Sequence, residues 1–170
     1  MPRTATITLI KTLTEQGLTV ATAESLTGGM LAGELVSVPG ASMAFNGGIV
    51  SYATPLKETL LNVNGARLAQ VGPVDAVVAE QMAEGARHAC AVNGRPAELG
   101  LATTGVAGPD PDLQTGQPAG TVYIGIATAK GSRAVRLALS GDRSAIREAT
   151  VAAAIQEALI ELQSLALDLV

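Results

Sequence analysis

A chain of 170 residues with 48% hydrophobic and only 15% charged residues is long enough for one domain with a sizeable core and too apolar for a disordered tail. A formal net charge of −4, no Trp, one Phe and two Tyr exclude the basic, aromatic surfaces that bind nucleic acid. The single cysteine, Cys90, excludes an internal disulfide and fits a reducing compartment. No stretch reaches the ~18 uninterrupted apolar residues of a membrane span. A cytoplasmic protein with no membrane partner is the expectation.

In chain order, residues 4–16 place Ile7, Leu9, Ile10 and Leu13 near helical spacing, and Gly17 follows as a stop signal. This opening segment lacks the apolar run and cleavage site of a signal peptide, so no leader is expected. Residues 18–23 read as a strand, 26–38 as a helix ended by Pro39 and Gly40, and 47–52 as a second strand. Pro55 suits the first position of a short helix through Leu61. A long helix is predicted from 74 to about 92 and a third strand over 99–104. Residues 105–119 hold three Pro and three Gly without periodicity, a length that in compact domains marks a functional or mobile loop. Strands over 121–129 and 133–139 form a hairpin, and a helix from about 143 to 167 closes the chain.

Helices alternating with strands, then a hairpin, predict an α/β fold: a single three-layer domain over residues 1–170, its mixed β-sheet carrying helices on both faces. Ligands in such sheets bind beyond the carboxyl ends of the parallel strands. Three loops fall there, at 24–29, 53–57 and 103–109. Pairing the first two strands in parallel puts Ser25 and Tyr52 at one sheet edge.

The side-chain inventory limits the chemistry. One histidine and one cysteine cannot assemble the usual catalytic zinc sets, so no metal is expected. His88 reads as an ordinary helical histidine and Cys90 as a small core residue. No Gly-x-Ser-x-Gly elbow supports a histidine-activated serine. The sequence has three lysines, Lys11, Lys57 and Lys130. Lys57 stands out because it follows a strand end and begins a helix, where the helix dipole disfavours a cation. A lysine acts as a base only when neutral, which burial or a nearby cation such as Arg143 promotes. Ser25, between a strand and a helix, suits a helix N-cap as well as a nucleophile. Thr27-Gly28-Gly29 offers backbone N–H groups to a phosphate or an oxyanion. The Thr104-Gly105-Val106-Ala107-Gly108 loop offers the same. Arg143, at the start of the last helix, suits a phosphate clamp.

Together and in this order, AESLTGG (23–29), VPGAS (38–42), GGIVSYATPLK (47–57), VAEQMAEGAR (78–87), TGVAGPD (104–110), PAGTVYIGIA (118–127) and GDR (141–143) resemble the nicotinamide-nucleotide amidohydrolase family, which includes the C-terminal domain of the competence/damage-inducible protein CinA. The resemblance runs from about Leu9 to Leu165. It implies hydrolysis of nicotinamide mononucleotide to nicotinate mononucleotide and ammonia by a Ser/Lys dyad, with no cofactor. Carried over, Lys57 is the base and Ser25 or Ser42 the nucleophile, with Tyr52, Thr104 and Arg143 as companions; Tyr52 is expected to be catalytic too, since protonated Lys57 or Tyr52 delivers the proton to the departing ammonia. Ser25 is preferred because the topology sets it beside Tyr52, whereas Ser42 begins the second strand at the opposite edge; a dimer partner or an antiparallel pairing of the two strands would reverse that choice. Thr27, Gly28, Gly105 and Gly108 complete the expected binding set, with Ser42 a member of it if it is not the nucleophile. Leu26 stands where a cysteine is common. The longer members' N-terminal domain, with its pyrophosphatase activity, is not expected here. A non-catalytic nucleotide-binding module, or an amidase for another small carboxamide, stays open on the residues alone, as does a homo-oligomer.

Overall fold

The computed structural model describes residues 3–167. Its elements are α1 (Thr4–Gln16), β1 (Val20–Glu24), α2 (Met30–Val36), a 3-10 turn (Ala41–Met43), β2 (Phe45–Val50), α3 (Thr54–Leu61), α4 (Gly65–Val71), α5 (Ala76–Ala89), β3 (Leu99–Gly105), β4 (Thr121–Thr128), β5 (Gly131–Ala138) and α6 (Arg143–Leu167). The five strands form one sheet in the order β2-β1-β3-β4-β5. β1 runs parallel to β2 and β3, while β3–β4 and β4–β5 are antiparallel. This is the mixed α/β sheet expected.

The strands bury one side chain type on each face. Val20, Leu99, Leu101, Val122, Ile124 and Ile126 point into a core of large aliphatics with α1, α2 and α6. Ala21, Ala23, Ala102 and Ala127 alternate with them and face Met82, Ala83 and Ala86 of α5. That second face is built small so that α5 lies almost on the backbone of the sheet. A Cβ on Gly100 would overlap the carbonyl of Ala83, and one on Gly125 that of Ala79. Overpacking of this kind costs about 1–3 kcal/mol, because backbone on both sides must move. Gly100→Ala is therefore expected to lower the urea midpoint with the slope of the transition unchanged; an unchanged midpoint would mean that α5 has room to spare.

Several boundaries differ from the sequence reading. The helix expected over 26–38 is only Met30–Val36, since residues 25–29 turn before it and Gly29 enters it with φ at 99°. The long helix starts at Ala76, where the Asp75 carboxylate accepts the Val78 N–H, and ends at Ala89. α4 was not foreseen: it is a short helix that Asn64 caps by accepting the Arg67 N–H. Among the described residues no helix is long and apolar enough to cross a membrane.

Candidate active site

Ser25 directly follows β1, and its N–H donates to the Thr103 carbonyl of β3 at 2.9 Å. Glu24 pairs with Thr103, so by strand alternation Ser25 comes beside Thr104 on the α5 side of the sheet. Lys57 approaches from α3, whose first turn carries Pro55 and whose N-terminus immediately follows the end of β2. The Lys57 side chain is fully buried. Its Nζ donates to Ser25 Oγ at 3.0 Å and to the Ser51 carbonyl at 2.7 Å. Both partners are neutral, so desolvation is not offset by a carboxylate, and burial pushes the Lys57 ammonium down to about 8. Ser25 remains half-buried and reachable.

A second cluster borders this pair. Tyr52 lies one residue beyond Ser51 and is 59% exposed. Its hydroxyl accepts from Arg143 Nη2 at 3.1 Å, while Arg143 Nη1 donates to the Gly108 carbonyl at 2.8 Å. One arginine thus ties the end of β2 to the loop after β3. Thr104 Oγ1 donates to the Pro73 carbonyl at 2.6 Å, fixing that loop against the entry to α5. Gly105 ends β3 opposite Val122.

The glycine loop departs from expectation. The buried Glu24 carboxylate accepts the N–H groups of Gly29, Leu31 and Ala32 at 2.8 to 3.0 Å. The α2 N-terminus therefore already holds an internal anion, and its N–H groups are not free for a substrate phosphate or oxyanion. Gly28 N–H goes to the Ser25 carbonyl. Thr27 Oγ1 lies 2.7 Å from Thr103 Oγ1, so its hydroxyl serves the loop. Among the described residues, the N–H groups of Leu26, Thr27, Ala107 and Gly108 meet no protein acceptor. Arg147, one helical turn beyond Arg143, donates to the carbonyls of Leu26 (2.9 Å) and Thr27 (3.0 Å) and braces the same loop from α6.

Ser42 is the one expected site residue that the fold does not gather. It lies exposed in the turn before β2, whereas Ser25 follows β1. Because the two strands are parallel, these positions are at opposite ends of the pair. Ser51 and Arg147 are residues of this cluster that sequence reasoning missed, and Glu24 and Thr103, inside the loops it singled out, had no role assigned to them. Arg147 alone had a signal, its i+4 spacing from Arg143 on one helix face. The Ser51 hydroxyl is buried with no hydrogen-bond partner among the described residues, beside the lysine that its own carbonyl holds. Among the described residues no group of three His, Cys, Asp or Glu side chains is placed to hold a metal. The groove of about 960 Å³ that Glu58, Asn62, Gln81 and His88 help to line includes no residue of the dyad.

A sequence profile described as the CinA C-terminal domain matches residues 3–162. A CinA-like protein of Frankia casuarinae is 48% identical over 84% of the chain, and a putative competence-damage inducible protein of a Geobacillus species is 46% identical over 81%. The chain spans about a third of the length of these curated relatives, 31% and 32%. Among solved structures, the competence/damage inducible protein CihA of Agrobacterium tumefaciens superposes with a TM-score of 0.84 at 32% identity, covering 96% of this chain and 98% of that one. A CinA superfamily protein of Klebsiella pneumoniae superposes with a TM-score of 0.87 at 26% identity, covering 94% and 96%.

Proposed function

Because the chain belongs to the CinA C-terminal domain family, we propose that it is an amidohydrolase that converts nicotinamide mononucleotide to nicotinate mononucleotide and ammonia through a Ser25–Lys57 dyad. The observation that carries this reading is a fully buried lysine whose Nζ lies 3.0 Å from a reachable serine hydroxyl and has no carboxylate partner among the described residues. A lysine so placed is neutral in a useful fraction of molecules near neutral pH, as a base must be.

Neutral Lys57 takes the Ser25 proton as Oγ attacks the carboxamide carbon. The tetrahedral oxyanion is held by the amides next to the nucleophile, Leu26 and Thr27, rather than by the α2 N-terminus that Glu24 fills. Protonated Lys57 then delivers its proton to the departing amine, which leaves as ammonia. Water, activated by the same lysine, resolves the acyl-serine to the carboxylate. The Arg143 guanidinium receives the phosphate, and Tyr52 and the Thr104–Gly108 loop border the ribose and ring. The test is ammonia release from purified protein with nicotinamide mononucleotide, with and without exhaustive chelation. Turnover in both is expected. Stoichiometric nucleotide binding without turnover would make the protein a binding module. Turnover lost on chelation and restored by a divalent ion would replace the dyad.

Arg143 gives a sharper check. Its contacts with Tyr52 and Gly108 are to neutral groups, so its charge is not neutralised by a carboxylate there. Arg143→Ala should lower kcat/KM for the nucleotide by about ten- to a hundredfold, the loss of one charge-assisted contact. Turnover of nicotinamide riboside should fall much less. Equal losses on both would remove the phosphate from this arginine.

A further inference from the structure

The strand register gathers three polar side chains on one face of the sheet. Ala23 pairs with Ile49 and Glu24 with Val50, and the Ser51 N–H continues the ladder by donating to the Glu24 carbonyl. Ser25 and Ser51 thus lie two positions beyond Ala23 and Ile49, on the face that packs against α5. Lys57 reaches that face from α3, one turn before Leu61 of the same core. Among the described residues its Nζ has two acceptors, Ser25 Oγ and the Ser51 carbonyl. An ammonium has three N–H donors, so the charged form leaves one unmet. The Ser51 hydroxyl, fully buried on the residue whose carbonyl holds Nζ, is also without a partner among the described residues. Buried hydroxyls are ordinarily paired, because leaving one unpaired costs free energy. The charged groups of the neighbouring elements are engaged elsewhere. Glu24 faces the opposite side of the sheet and holds the α2 N-terminus, and Glu58 of α3 is exposed. At α5, Asp75 pairs with Arg67, Glu80 lies by the same arginine, and Glu84 pairs with Arg87 and His88. Arg143 binds Tyr52 and the Gly108 carbonyl at the rim.

We propose that Ser51 is a positioning residue for Lys57: its carbonyl and its hydroxyl each accept one N–H of the ammonium, which leaves the third N–H facing the departing amine. The inference deepens the amidohydrolase reading and rests on it. When Nζ takes the proton of Ser25 Oγ, the amine becomes an ammonium with three N–H groups. Two go to the Ser51 carbonyl and Ser51 Oγ, and the remaining proton passes to the leaving nitrogen. The contact with Ser51 Oγ strengthens as the charge arrives, because hydrogen bonds from an ionised donor are the stronger ones. An interaction of that kind acts on kcat and leaves KM nearly unchanged. It also favours the charged lysine, against the burial that lowers it.

Ser51→Ala tests it by two readouts on the whole chain. Carbon NMR of the lysine ε-methylene groups follows the titration of Lys57, whose signal among the three lysines is identified by its loss in Lys57→Met. Removing one charge-assisted acceptor should lower the Lys57 midpoint by about one to two pH units. The kcat for nicotinamide mononucleotide on the high-pH plateau should fall about ten- to a hundredfold at nearly constant KM. Below the variant's own midpoint the two proteins should converge in kcat/KM, because there both start from the ammonium. Ser51→Thr keeps the hydroxyl and should restore the midpoint. Ser51→Cys, whose thiol is a weak acceptor, takes the place of Ser51→Ala if that variant fails to fold. A folded Ser51→Ala with the wild-type Lys57 midpoint overturns the proposal. So does a loss of turnover that is the same at every pH, as a merely structural hydroxyl would give. A wild type that releases no ammonia removes the amidohydrolase reading by that result alone, while the Lys57 midpoint still decides whether Ser51 holds the ammonium.

Discussion

Lys57→Met is expected to abolish ammonia release, by about ten-thousandfold or more, because it removes the group that accepts the serine proton and protonates the leaving amine. Binding of nicotinamide mononucleotide should stay within about tenfold, since a base acts mainly in the transition state. Ser25→Ala should match it, and the double variant should be little worse than either, as expected of residues that act as one unit. In the wild type, kcat/KM should rise as pH rises through about 8 and then level, following the neutral amine. The same substitution has a signature in stability. Lys57 has a lower pKa folded than its ordinary value of 10.5, so the unfolded chain binds the extra proton and the fold is penalised below about 8. The penalty fades as pH rises from about 8 towards 10.5 and is absent above. Relative to Lys57→Met, the wild type should therefore gain roughly 2 kcal/mol between about pH 7 and about pH 9.5. Denaturant titrations at the two pH values measure this difference, in which groups common to both proteins cancel. A pH-independent difference would mean that Lys57 titrates normally, and retained turnover would end the dyad.

Glu24→Ala should be the most destabilising change at the site that leaves the dyad itself intact. The carboxylate is buried and takes three backbone N–H groups at the start of α2. Each buried donor left without an acceptor costs about 1–3 kcal/mol, and two of the three bonds are only part-buried, so the loss should lie in the lower part of the summed range, on the order of 3–6 kcal/mol. Glu24→Gln keeps one carbonyl oxygen and should lose less. Activity of Glu24→Ala should also fall, because residues 25–29 run from the nucleophile into the helix start that Glu24 holds. Equilibrium unfolding followed by far-UV signal reads the first effect. A loss below about 0.5 kcal/mol would show that water or another acceptor replaces the carboxylate.

Much of the fold was legible because it is written in local patterns. Apolar spacing and a stop glycine defined α1, and Pro55 marked the start of α3. The hairpin of β4 and β5 was legible from the Lys130-Gly131-Ser132 turn signal, although the connection is Ala129-Lys130 and β5 already begins at Gly131. α4 was missed because seven residues with one buried side chain carry little periodicity. The start of α2 was misplaced because a buried carboxylate, not a serine cap, satisfies its amides.

Within the candidate site, the sequence by itself determined the inventory: one histidine, one cysteine, three lysines, and ordered segments that resemble a known family. It also set the alternation of small and large residues that lets α5 close on one face of the sheet. Only the tertiary structure decided that Lys57 is fully buried and 3.0 Å from Ser25, 32 positions earlier in the chain. It alone filled the α2 N-terminus with Glu24, whereas the separation of Ser25 and Ser42 to opposite ends of a parallel pair was already expected from the strand order and is found. The physical reason is one of range. Turns, caps and periodicity are fixed by neighbours within a few residues, whereas desolvation and hydrogen-bond partners depend on which distant segments the strand register brings together.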